Sequence, residues 1–245
     1  EVTNEDPIVG DVSAPTIEEL KILAKNYFAT QNRAVTKQDY VSIAYAMPSK
    51  FGSIKRVSVI QDTDSFKRNL NLYVLAEDTA GALTLATDTI KENLKTWLNN
   101  YKMVNDTIDL LDANIVNIGI NFSVIGERNV NVLDLLIQCK RRLSELYTQK
   151  FNIGEPLNIA EIYQTLNRVE GVVDTTDVTV NQKTGTDYSN IYYDVEENLS
   201  TDGRMLLVPS DTILEIKFIN SDITGQIIGT LNQDSSSSST GTGAY

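Results

Sequence analysis

The feature that most constrains the fold is a run of strict alternation from Val116 to Val124. Its apolar members are Val116, Ile118, Ile120, Phe122 and Val124, and they alternate with Asn117, Gly119, Asn121 and Ser123. Successive side chains of a β-strand point to opposite faces, so this pattern predicts a strand with one buried and one polar face. Such a strand belongs to a sheet that is covered on one side.

The remaining elements follow from period and boundary signals. Further strands are predicted at 54–61, 69–76, 172–181, 213–219 and 223–231, and helices at 16–28, 84–101, 129–147 and 158–168. In the helix over 129–147, the residues expected to face inward are Val132, Leu133, Leu136, Ile137, Leu143 and Leu146. Trp97 is expected to anchor a core, and the single cysteine, Cys139, to be a small buried apolar residue.

A helix joint is predicted at Arg33–Tyr40. Thr36 can cap the helix by accepting from a first-turn amide, and Asp39 places a carboxylate at the positive end of the helix. Tyr40 begins the apolar face of that helix. Arg33, Thr36, Asp39 and Tyr40 are therefore assigned a structural role, because none of them is chemically activated.

The order of elements favours an α+β fold: two small mixed layers of antiparallel-rich sheet, each covered by helices. We expect a loose N-terminal segment at 1–15, a first α+β domain at 16–105 and a second at 106–231. Residues 232–245 are rich in serine and are expected to form a disordered tail. The chain does not begin with methionine and has no signal-peptide pattern, so we expect a fragment or a processed protein.

The composition argues against several functions. The net charge of −12 disfavours nucleic acid and anionic membrane surfaces as partners. The chain has no histidine, so it lacks the commonest general base and transition-metal ligand. Asp106, Asp109 and Asp112 could contact a hard cation but are better interpreted as a solvated face, without the pattern of a calcium loop. We therefore expect no enzyme activity, no metal and no cofactor.

A polar connection at Lys183–Gly203 is longer than most connections between elements and is predicted to be functional. It contains the aromatic and aliphatic residues Tyr188, Ile191, Tyr192 and Tyr193. Tyrosines on loops are favoured at protein interfaces, so these four residues are the candidate interface. The alternative is that they fold back onto their own sheet. The basic run Lys140-Arg141-Arg142 is interpreted as a solvated helix face, with an acidic partner as the alternative.

Several segments carry a family resemblance. Arg-Ala-Val-Thr-x-x-Asp-Tyr at 33–40, followed by a turn with Pro48 and a strand, resembles the baseplate J-like wedge proteins of contractile-tailed phages. Segments 98–106, 115–120, 169–172 and 218–223 look like the C-terminal part of the large baseplate wedge subunit of T-even-type phages. The likeness runs from about Thr16 to about Ile228.

The resemblance implies a structural subunit located in the tail baseplate of the virion, and in the host cytoplasm during assembly. Such a protein binds copies of itself, through two-fold contacts, and other wedge proteins. The resulting ring surrounds the tail hub and rearranges when the sheath contracts. Two alternatives stay open: the wedge of a bacterial contractile injection system, and a hydrolase or carbohydrate-binding domain that uses carboxylates such as Glu196 and Glu197.

Overall fold

A computed structural model describes residues 15–62, 69–78, 81–128, 130–147 and 151–229. The chain has an α+β fold, as predicted from the order of its elements. The expectations for 1–14 and for the tail at 232–245 lie outside the described residues. Within the described residues, no helix has both the length and the apolar character needed to cross a bilayer.

The first sheet is built around one long strand. The elements are α1 (Ile17–Thr30), α2 (Lys37–Tyr45), a 3₁₀ turn (Ser49–Phe51), β1 (Arg56–Gln61), β2 (Asn69–Glu77), β3 (Leu83–Leu85), α3 (Asp88–Asn99) and β4 (Thr107–Asp112). Strand β2 pairs antiparallel with β1 and β3, and parallel with β4. Helices α2 and α3 bury Tyr40, Ile43, Ile90, Leu94 and Leu98 against Leu72 and Val74 of this sheet.

The second sheet is built around β5 in the same way. Its elements are β5 (Asn114–Gly126), α4 (Val132–Leu146), β6 (Leu157–Asn158), α5 (Ile159–Asn167), β7 (Val172–Gln182), β8 (Met205–Leu206), β9 (Thr212–Glu215), α6 (Ile219–Asp222) and β10 (Ile223–Gly229). Strand β5 pairs antiparallel with β7 and parallel with β9 and β10. Strands β6 and β8 form a small antiparallel pair.

The two sheets meet at the turn between β4 and β5. Leu75 and Leu83 of the first sheet pack against Ala113, Ile115 and Ile213 of the second. Strand β4 follows the predicted domain boundary at 105/106, yet it pairs with β2 of the first sheet. The change of sheet therefore occurs at Ala113, and the division of the chain into two domains stays a prediction.

Strand β5 differs from the prediction in its environment. Its alternation is correct, but the face expected to be polar and open is also covered: Asn117 is 2% exposed, Gly119 is buried and Ser123 is 9% exposed. The apolar face carries α4 and α5 through Ile120, Phe122 and Val124. Strand β5 is therefore a central strand that is buried on both faces, because its small and amide side chains have partners on the second face.

Two helix predictions also need correction. The helix predicted from Thr84 begins at Asp88, because Leu83–Leu85 form strand β3. In α4, the buried residues are Leu135, Cys139 and Leu143, whereas Val132, Leu133 and Ile137 are 55%, 67% and 63% exposed. The expectation that these three residues face inward is therefore wrong, although Leu143 and Cys139 are buried as predicted.

Candidate interaction surface

The long connection between β7 and β8 spans residues 183–204 and contains no helix or extended strand. Its second part folds on itself as a short hairpin: Leu199 bridges Leu206, Ser200 N donates to Met205 O at 2.8 Å, and Leu207 N donates to Asn198 O at 2.9 Å. Backbone pairing of this kind gives the connection a defined shape.

A buried polar network fixes the start of the connection. Ser189 N donates to Asn117 Oδ1 at 2.7 Å, and Asn117 Nδ2 donates to Glu215 Oε2 at 2.9 Å. The other oxygen of Glu215 accepts from Leu83 N at 2.7 Å. Asn117 and Glu215 are 2% and 5% exposed. Buried polar groups are costly without partners, so this network joins the connection, β5, β9 and β3 into one arrangement.

A second anchor is the contact of Tyr188 with the end of α6. Tyr188 Oη donates to Asp222 Oδ1 at 2.7 Å, and Asp222 Oδ2 accepts from Phe218 N at 2.8 Å. The Tyr188 and Phe218 rings meet edge to face, with centroids 5.7 Å apart. The hydrogen bond to Asp222 raises the pKa of Tyr188. Tyr188 is half-buried, and both its hydroxyl and its ring contact residues of the same chain.

Tyr193 is part of the core, and its assignment to an exposed interface is not supported by its position. It is 8% exposed and packs in a cluster of Val116, Ile118, Leu157, Leu206 and Leu214. Its hydroxyl donates to Leu207 O, and its amide donates to Gln182 Oε1 at 3.1 Å. Burial raises its pKa. Tyr193 therefore has the position expected under the alternative, in which these residues fold back onto their own sheet.

Ile191 and Tyr192, in contrast, remain on the surface, at 37% and 81% exposure. Tyr192 Oη donates to Asp194 Oδ2 at 3.2 Å, and the charge of Asp194 raises the pKa of Tyr192. Asp194 Oδ1 accepts from the amides of Glu196 and Glu197 at 2.9 and 3.1 Å, and these bonds lower the pKa of Asp194. The exposed ring is therefore held in place by a carboxylate that is itself fixed.

We define the loop surface as the exposed apolar residues of this region with the acidic residues between them. Its members are Ile191, Tyr192, Leu199, Met205 and Leu207, together with Asp194, Glu196, Glu197 and Asp202. Exposed aromatic and aliphatic side chains interspersed with charged ones occur at protein interfaces. Of the predicted interface residues, the structure brings Ile191 and Tyr192 to this surface and turns Tyr188 and Tyr193 inward.

The helix joint has the geometry expected of a cap. Thr36 Oγ1 accepts from Asp39 N at 3.2 Å, and Asp39 Oδ2 accepts from Thr36 N at 2.8 Å. Burial acts to raise the pKa of Asp39, but the hydrogen bonds from the amides of Thr36 and Val35 outweigh it, and the pKa is lowered. Arg33 is exposed next to the joint, and its charge contributes in the same direction.

Tyr40 connects this joint to the β4 region. It is 1% exposed, and its hydroxyl donates to Asp106 Oδ2 at 2.7 Å. Burial, and then the bond to Asp106, raise its pKa. Asp106 is 8% exposed, whereas Asp109 and Asp112 are exposed and contact Asn69 and Lys91. The three aspartates therefore do not share one solvated face as expected.

The described part of the chain holds no group of three or more acidic, cysteine or histidine side chains placed to bind a metal. Glu196 and Glu197 are exposed, and neither lines the cavity of about 620 Å³ between α1, α2 and β1. A pair of carboxylates on an open surface lacks the enclosed cleft that a glycosidase needs.

The sequence reasoning missed the residues that position the loop surface. Asn117 and Glu215 belong to strands whose polar positions are expected to face solvent, and Asp222 lies in a family segment that implies no role for it. Glu215 alternates with Lys217 on the polar face of the predicted strand, so no local signal marks it as buried. The exposed apolar residues of α4 were also missed, because the helical period of the sequence does not determine which apolar face packs against the rest of the protein.

Comparison with known proteins identifies a fold. No protein-family model matches the sequence, and no curated protein matches it. Solved structures do match, among them a chain of the "Cryo-EM structure of the anti-feeding prophage (AFP) baseplate, 6-fold symmetrised". The match has a TM-score of 0.50 at 10% sequence identity, and covers 83% of this chain and 42% of that chain. The protein shares the fold of part of a baseplate subunit, while the baseplate J-like family assignment stays a prediction.

Proposed function

We propose that this chain is part of a structural subunit of a contractile-tail baseplate wedge. The observation that carries the proposal is the shared fold with a baseplate chain over 83% of this chain. The described residues support it, since Ile191 and Tyr192 are exposed on a connection whose backbone is fixed by hydrogen bonds at Ser189 and Tyr193. The segments at 33–40 and 218–223, which resemble the wedge family, belong here to a helix cap and to the anchor of the connection.

The proposed mechanism is assembly. Copies of the chain bind one another and other wedge proteins to form a ring around the tail hub, and the ring rearranges when the sheath contracts. A two-fold contact is the commonest way for two copies to associate. We assign the loop surface to this contact, because Ile191 and Tyr192 are exposed while their neighbours Tyr188 and Tyr193 hold the backbone in place.

A second candidate is the wedge of a bacterial contractile injection system. It is favoured by the same match, because the matching chain belongs to the baseplate of an anti-feeding prophage. The two candidates share one physical role and differ in the particle that the subunit builds. Electron microscopy of the full-length protein, mixed with the products of its neighbouring genes, separates them by the particle that forms.

The test of the proposal is self-association. At a protein concentration of about 100 µM, a dimer with a micromolar dissociation constant is well populated, and light scattering detects it. Tyr192→Ala is expected to weaken the dimer by roughly thirtyfold, since a central interface tyrosine contributes about 2 kcal/mol. Deletion of 235–245 serves as the control and leaves the equilibrium unchanged. A wild-type chain that stays monomeric at this concentration, and fails to join a ring with its neighbours, refutes the proposal.

A further inference from the structure

The outward face of α4 carries an apolar stripe that the monomer leaves uncovered. Leu133 and Ile137 are 67% and 63% exposed, and they lie four residues apart, with Arg141 four residues further on. Residues at this spacing line one face of a helix. Val132, 55% exposed, lies at the start of the same helix. Exposed aliphatic side chains that follow one another along a helix are typical of a binding surface.

The second half of α4 carries a basic run, of which Arg141 lies in line with Leu133 and Ile137. Lys140-Arg141-Arg142 is the densest basic run in a chain of net charge −12. Arg141 and Arg142 pair with Glu145 at 3.0 and 3.2 Å, and their side chains are 78% and 64% exposed. Glu145, four residues after Arg141, lies on the same face and offsets its charge, so the excess positive charge comes from Lys140 and Arg142 on either side of the stripe. Two copies of a chain with net charge −12 repel each other, and a local region of opposite charge offsets part of that repulsion.

The loop surface has the complementary character. The connection that carries the exposed Ile191 and Tyr192 also carries Asp194, Glu196, Glu197 and Asp202, and Asp194 accepts a hydrogen bond from Tyr192 Oη. On α4, the apolar residues and the cations lie along one helix; on the loop surface, apolar residues and carboxylates lie together. An apolar patch meeting an apolar patch, with opposite charges at the rim, satisfies both requirements of a specific interface.

The buried clusters beneath α4 and beneath the connection are adjacent in the fold. Tyr147, which ends α4, packs both on the cluster under α4 and on the cluster that contains Tyr193. Val116 and Ile118 of the Tyr193 cluster share a strand face with Ile120 and Phe122 under α4, because residues two apart point the same way. Tyr193 therefore lies on the same side of β5 as α4, whereas Ser189 contacts Asn117 on the other side.

We propose that the partner of the loop surface is α4 of a second copy of this chain. This inference rests on the proposed self-association and names its contact: Tyr192 and the acidic residues of one copy lie on Leu133, Ile137 and the basic run of the other. In a two-fold dimer the contact occurs twice. Opposite charges at the rim contribute to this contact and set its orientation.

Charge reversal tests the pairing by sedimentation velocity. The variant Arg141→Glu, Arg142→Glu gives α4 the charge of the loop, and the variant Glu196→Lys, Glu197→Lys gives the loop the charge of α4. Each variant alone is expected to self-associate about tenfold or more weakly than wild type. An equimolar mixture of the two is expected to recover association, because each α4 then meets a loop of opposite charge.

Two further variants keep the result interpretable. Lys21→Glu, Lys25→Glu reverses two exposed charges on α1 and is expected to leave the dimer unchanged. Ile137→Ser tests the apolar stripe without a change of charge and is expected to weaken the dimer. A wild-type dimer that is indifferent to the α4 variants overturns this inference while self-association stands. A mixture that stays dissociated overturns the charge pairing, and a wild-type monomer overturns self-association itself.

Discussion

Tyr192 and Tyr193 are adjacent in sequence, yet truncation of each should have opposite consequences. The Tyr193 ring is buried among Val116, Leu157, Leu206 and other residues of its cluster. A buried aromatic side chain removes about 150–250 Å² from water, which at roughly 25 cal/mol per Å² corresponds to about 4–6 kcal/mol. Measured truncations of buried aromatic residues to alanine cost about 3–5 kcal/mol. We therefore expect Tyr193→Ala to lower the free energy of unfolding by about 3–5 kcal/mol.

Tyr192→Ala should change that free energy by no more than about 0.5 kcal/mol, because the ring is 81% exposed and its bond to Asp194 is on the surface. Tyr193→Phe is the matched control, because it keeps the ring and removes only the hydrogen bond to Leu207 O. We expect it to lower the free energy of unfolding by about 1 kcal/mol. Urea unfolding followed by circular dichroism measures all three variants. With a slope of about 1–3 kcal/mol per molar urea, Tyr193→Ala lowers the midpoint by about 1 M or more.

A Tyr193→Ala variant that is as mild as Tyr192→Ala in the urea measurement would contradict the buried position of the Tyr193 ring. The Tyr193 ring would then not be packed in its cluster, and both tyrosines would again be candidates for the interface. A result in which Tyr192→Ala unfolds the chain would equally contradict the exposed position of that ring.

Two further predictions concern the helix joint. Thr36→Ala removes the cap of α2 and is expected to lower the free energy of unfolding by about 0.5–2 kcal/mol. Assembly of the folded protein should be unaffected. An unchanged urea midpoint together with failed assembly would instead show that the joint is an interface. Tyr40 has a folded-state pKa above the ordinary value of about 10, so the stability that its neutral form provides is complete below pH 10 and declines as pH rises through the folded pKa. Tyr40→Phe, measured by urea unfolding between about pH 7 and 11, should show a smaller loss of stability at high pH than wild type; parallel pH profiles for the two proteins would contradict this assignment.

Local chemistry was sufficient to predict the position and type of many elements. The alternation from Val116 to Val124 identified the central strand β5, and Thr36 with Asp39 identified the start of α2. These signals depend on residues close together in the chain: strand alternation reflects the pleat, and a cap reflects a hydrogen bond three residues away. The α+β class followed from the order of the elements for the same reason.

The tertiary structure decided which faces are covered. The periodicity of α4 predicted a helix, but the helix carries more apolar residues than one stripe needs, and contact with β5 and α5 selected Leu135, Cys139 and Leu143. Leu133 and Ile137 are left outside. Adjacent residues of an extended segment point in opposite directions, so composition alone could not tell Tyr192 from Tyr193.

The position of the loop surface depends on contacts between residues that are distant in sequence. Asn117 holds Ser189 and Glu215 holds Asn117, while Asp222 holds Tyr188. A short polar side chain in a strand is interpreted from the sequence as solvent-facing, because its partner comes from another part of the chain. The sequence by itself determined the elements and their caps; only the packing of β5 against β9 and the connection determined which tyrosine remains available to a partner.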